Sequence, residues 1–165
     1  ASVAVVGVVD VDAAARRVLG AVTASAAEAG VSLPDRHLVT TGSAVYDCEM
    51  VAVTYITVGT GIPGATADAM AGILQQRPPV WQAVLGVAIV RCASERPDGP
   101  RNSRPPTAAG IEADSAAASA DAAVIANAAY SLTDDWSVPD VAIQFFQPEG
   151  GFIATTGTVT VPLWA

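Results

Sequence analysis

Lysine is absent from this 165-residue sequence, histidine occurs once, at His37, and cysteine only twice, at Cys48 and Cys92. One histidine and two cysteines, with no C-x-x-C pair, fall short of the four ligands that a zinc site needs at recognisable spacing. A cysteine nucleophile needs a base within hydrogen-bond reach, and the acids Asp47 and Glu49 flanking Cys48 oppose thiolate formation. His37 stands instead beside Arg36, where a short strand begins. No GxxxxGK[ST] loop and no GxSxG elbow occurs. The adjacent acids Asp134 and Asp135 read as a solvated helix end rather than an acid–base or metal-binding pair. The expectation is no catalytic residue, no metal and no cofactor.

Charge is scarce as well. Charged residues make up 15 %, and sixteen acids outweigh eight arginines to give a net charge of −8. That balance argues against tight binding to nucleic acid or to an anionic membrane, both of which need a basic footprint. No run approaches the roughly 18 uninterrupted apolar residues of a transmembrane helix. The apolar opening ASVAVVGVV has no basic flank and does not read as a signal peptide. Two cysteines make no disulfide framework. A soluble, intracellular chain forming one domain over residues 1–165 is expected.

What the sequence has in plenty is apolar residues, 52 % of the total and largely alanine. So little polar surface fits a chain that hides apolar surface against copies of itself or a partner. The plainer reading is the alanine bias of a GC-rich genome.

The periodicities give seven elements. Asp10 caps a first helix whose face is Val11, Ala15, Val18, Val22, Ala26 and Ala29, and Gly30 ends it. A short strand spans His37 to Thr41. The run 45–58 then places Met50, Ala52, Thr54 and Ile56 on one face and Val51, Val53 and Tyr55 on the other. Both are largely apolar, as in a central strand covered on both sides. A glycine- and proline-marked excursion over 59–80 follows, long enough to be functional or mobile. Trp81 to Cys92 forms another strand, and ASERPDGPRNSRPP a solvated loop. Thr107 caps a second helix running to about Leu132, with a stripe of Ile111, Ala118, Ala122, Ile125, Ala129 and Leu132. Strands at Val141–Gln147 and from Phe152 flank a Pro148-Glu149-Gly150-Gly151 hairpin. The order α-β-β-β-α-β-β predicts an α+β domain: a small, mostly antiparallel mixed sheet of about five strands carrying two helices. If the strands around the long excursion pair, Cys48 approaches Cys92, as two packed thiols or as a disulfide.

Four landmarks together resemble a known family: Asp47-Cys48-Glu49 entering a strand, Gly61-Ile62-Pro63-Gly64 after it, Val90-Arg91-Cys92 ending the next, and Pro148-Glu149-Gly150-Gly151 before the last. Their order and spacing are similar to those of the tail terminator proteins of long-tailed actinobacteriophages. The resemblance implies a lambda-type tail-terminator-like fold and a virion structural role. Such a protein, assembled in the host cytoplasm, forms a ring, typically a hexamer, on the last ring of tail-tube subunits. It halts tube polymerisation and docks the neck. The partners implied are the chain itself, the major tail tube protein and a neck or stopper protein, with genome DNA passing through unbound. The alternatives are a head–tail stopper or adaptor and, from another class, a small-ligand-binding domain using the 59–80 segment as a lid. Candidate interface residues are Val3, Val5 and Val6 in an N-terminal arm over 1–9, and Ile62, Pro63, Met70, Ile73 and Leu74 in the 59–80 segment.

Overall fold

Asp10 accepts the Ala13 backbone N–H at 2.9 Å and so caps α1, Val11–Ala29. Gly30 closes that helix in the left-handed conformation, φ 67°, its N–H turned back onto the carbonyls of Ala26 and Ala27. The computed structural model describes residues 10–42, 49–61, 80–93, 107–132, 141–149 and 151–163. After α1 come β1 (Arg36–Thr41), β2 (Met50–Gly61), β3 (Val80–Cys92), α2 (Ala108–Ser131), β4 (Val141–Glu149) and β5 (Phe152–Pro162). Thr107 caps α2 by accepting from the Gly110 N–H at 3.0 Å. This is the α+β order read from the sequence.

The five strands form one sheet in the order β1-β2-β3-β5-β4. β1 runs parallel to β2, and the other three pairings are antiparallel. Gly151, at φ 83°, supplies the positive dihedral that the β4–β5 turn requires. Both helices lie on one face. There Val18 and Val22 of α1 and Val124 and Ile125 of α2 bury against Val51, Val53, Leu85, Val87, Ile89, Val159 and Val161. Ser25, buried on α1, donates to the Val124 carbonyl at 3.0 Å and ties the two helices together.

Several expectations change. Covering on both sides holds for only part of β2, and no helix or strand among the described residues lies across the second face. A smaller cluster of Met50, Ala52, Ala88, Val90 and Ala154, with Leu38 and Phe152, closes one end of that face. Further along β2, Thr54 is half-buried and Ile56 is 53 % exposed. Among the described residues of the run 45–58 the strand starts at Met50, and Glu49 precedes it at φ 60°. The excursion 59–80 is shorter than expected. Gly59 and Gly61 pair with Gln82 and Val80, since a bulge at Ile56 shifts the register and lets β2 continue through its glycines. On α2, Ile111 is 51 % exposed, because the buried positions begin only at Asp121. Ala29, at the end of α1, is exposed too.

Candidate functional site

The open face is built by alternation. Thr54 of β2, Gly86 of β3 and Thr156 and Thr158 of β5 face away from the helices, in register with one another. Gly86 leaves a gap between longer neighbours, and a concavity of about 440 Å³ opens over it, lined also by Ile56. A Cβ at position 86 would lie 2.6 Å from Thr54 Oγ1, so the hollow depends on the absence of a side chain. Thr54, Thr156 and Thr158 supply hydroxyls to its lining, which also includes Tyr55 but no acid, arginine or histidine.

The exposed large apolar side chains among the described residues belong partly to this face and its margins. Ile56 is 53 % exposed, Trp81 43 %, Phe145 60 % and Phe146 51 %. Phe145 and Phe146 are consecutive on β4 and so straddle the sheet, one toward each face. β4 has a neighbour only in β5, so its outer edge is unpaired among the described residues. Buried Gln82 Oε1 finds no hydrogen-bond partner among them.

Two polar clusters hold the covered face in place. Arg91, near the end of β3, makes a two-pronged bond to Asp121 of α2: Nε to Oδ2 and Nη2 to Oδ1, each 2.7 Å. Nη2 also donates to the Ser32 carbonyl at 2.9 Å, so one guanidinium joins the sheet, α2 and the connection after α1. The hydrogen bond to Asp121 raises the Arg91 pKa further above its ordinary value, against desolvation that acts to lower it. The second cluster is at the start of α1. Tyr55 donates to Asp12 Oδ1 at 2.6 Å, and Arg16 Nε donates to Asp12 Oδ2 at 2.7 Å.

The Tyr55 hydroxyl, then Arg16, holds the Asp12 carboxyl below the usual carboxylate range. The same bond to Asp12 pushes the Tyr55 phenol up from its ordinary value. The lowered Asp12 contributes stability that is present above about pH 4 and is lost as pH falls through its folded value. The raised Tyr55 contributes stability that is present below about pH 10 and is lost as pH rises through its folded value. Tyr55→Phe should therefore lower the urea midpoint at pH 7, and the gap from the parent should narrow at both ends of the pH range. A gap that stayed constant from pH 3 to pH 11 would show that the bond contributes nothing.

His37, the single histidine, donates Nε2 to the Pro34 carbonyl at 2.8 Å beside a crevice formed by the end of α1. That is a structural hydrogen bond. Cys92 is half-buried and closes β3 opposite Phe152. β2 and β3 pair antiparallel around the 59–80 excursion, but Cys48 lies outside the described residues. Val3, Val5, Val6, Ile62, Pro63, Met70, Ile73 and Leu74 also lie outside them, as do Asp134 and Asp135. Among the described residues no group of His, Cys, Asp and Glu is placed to hold a metal ion, and no helix is long and apolar enough to cross a membrane. Sequence reasoning missed Asp121 and Phe145–Phe146. The aromatic pair is a visible signal in an otherwise alternating strand, whereas Asp121 is one acid among alanines.

Compared with known proteins, the chain matches no family model and no curated protein.

Proposed function

We propose that this chain is a virion structural protein of the tail-terminator kind. It forms a ring, typically six-membered, on the end of a tail tube, stops tube growth and offers its other side to the neck. The observation that carries the reading is the distribution of apolar surface. The helices bury the middle of one face of the sheet, while Ile56 and Phe146 remain exposed on the open face and Trp81 and Phe145 at the margins of the helix side. A ligand-binding domain concentrates a few convergent polar or charged groups in a concave site. Here the concavity over Gly86 is lined by threonines, Tyr55 and apolar residues, with no acid, arginine or histidine. Large apolar groups on an uncovered sheet instead fit contact with other protein chains. The four sequence landmarks support the same reading. One of them, Val90-Arg91-Cys92, contains the guanidinium that joins sheet and helix.

The test is tube growth. Purified tail tube protein should polymerise to indefinite length alone and stop early when this chain is added at far below one copy per tube subunit. Unchanged tube length, together with binding to the capsid connector, would transfer the chain to the stopper or adaptor role.

DNA must pass through such a ring without sticking. Six copies at −8 each carry −48 in formal charge, and duplex binding depends on releasing counterions through basic contacts. The assembled ring should show no measurable affinity for duplex DNA at physiological salt by fluorescence anisotropy. A micromolar dissociation constant would contradict the reading.

A further inference from the structure

The sheet has two outer edges, and they differ. β1 spans Arg36–Thr41 and opens with Arg36 and His37. β4 spans Val141–Glu149, reads VAIQFFQPE, and carries no charge until its last residue. Proteins ordinarily blunt an exposed edge with lysine, inward charge, early proline or a covering element. β4 has no lysine, charge or proline over its first seven residues and no covering element among the described residues, and it presents Phe145 at 60 % and Phe146 at 51 % exposure on opposite sides of the strand. An uncharged edge flanked by aromatics above and below suits an added strand. Main-chain bonds would supply affinity, and the two rings would cover the side chains of the incoming strand.

Before α1 the sequence contains an uncharged segment of similar length with no helix period, Val3 to Val9, in ASVAVVGVV. It ends immediately before Asp10, the cap of α1. The start of α1 is fixed over β2 by the 2.6 Å bond from Tyr55 to Asp12. From β2 the outer side of β4 is about four strand spacings away, roughly 19 Å across the sheet, and the helix layer stands about 10 Å above it. Val9 is one residue from Asp10, a reach of about 3.5 Å. A chain therefore cannot lay Val3–Val9 along its own β4, although its own β1 is near.

We infer that β4 is the edge on which a second copy of this chain adds Val3–Val9 as a strand. The inference rests on the ring-forming reading above and gives it a contact. Arm and edge are different patches, so the interface is heterologous and passes from copy to copy, as a closed ring requires. Both surfaces are neutral, so a chain of net charge −8 meets its neighbour without apposing like charges there.

The experiment uses full-length protein and two variants, with mass read by light scattering after size exclusion. Successive strand residues direct their N–H groups to opposite edges, so V5P/V6P removes one pairing donor whatever the register. F145K/F146K places charge on the edge at positions exposed enough to accept it. Circular dichroism should show that both keep the parent fold. The parent should assemble, and each variant alone should run at the single-chain mass of 16.6 kDa. An equimolar mixture should recover a complex of twice that mass, because one variant keeps its edge and the other its arm. Assembly by V5P/V6P alone would overturn the inference in favour of β4 pairing with β4. A parent that stays at the single-chain mass would overturn it in favour of an arm folded on its own β1. A ring that survives both variants would overturn it and leave the terminator reading standing. Loss of assembly in each variant and recovery of the two-chain complex in the mixture, with a parent ring that does not stop tube growth, would overturn the terminator reading and leave this inference standing.

Discussion

Arg91→Leu should destabilise the protein by about 3–5 kcal/mol, the usual cost of removing one partner from a buried ion pair. Asp121 is 1 % exposed, and without the guanidinium its carboxylate stays buried with no counter-charge. The Ser32 carbonyl loses its donor in the same substitution. Asp121→Ala should cost less, because the Arg91 side chain is 23 % exposed and can turn toward water. Replacing both, with leucine at 91 and alanine at 121, should recover much of the loss, since neither charge is then left unpaired. Urea unfolding of the four proteins completes the cycle. Equal and additive losses would show that the pair is not coupled.

The second large effect is expected at Gly157. A Cβ there would lie 2.6 Å from Ile125 Cγ2, on a fully buried side chain of α2. Ile125 is β-branched and has little rotamer freedom in a helix, so it cannot simply swing aside. Gly157→Ala should cost about 1–3 kcal/mol through overpacking, and Gly157→Val more. In an Ile125→Ala background, which lacks Cγ2, Gly157→Ala should cost less than it does in the parent if the clash is the cause. Gly157→Ala matching the parent in thermal unfolding would mean that helix and sheet approach less closely than described.

How far these features were legible in the sequence depends on how local they are. Asp10 and Gly30 bound α1 by bonds that span only three or four residues, so the caps could be read directly. β5 could be read as well, because its valines and threonines alternate with the pleat. The parallel pairing of β1 with β2 was not legible, since strand order depends on contacts remote in sequence. Neither was the bulge at Ile56, which turned the glycines of 59–61 from loop signals into strand residues. Asp121 was hidden in an alanine-rich helix because its partner stands thirty positions earlier, on a strand. The covered face was legible in part: apolar alternation marks burial, but the pattern of β2 is apolar on both sides and does not say which side the helices take. The end of the open face around Ile56 thus reads as core in sequence and as surface in structure, and that mismatch led us to read it as a contact surface.

Electron microscopy of an assembled tail carrying this chain tests the central claim most directly. The account predicts one six-fold layer of the chain between the last tube ring and the neck. A twelve-fold layer, or density on the capsid or at the tail tip, would contradict it.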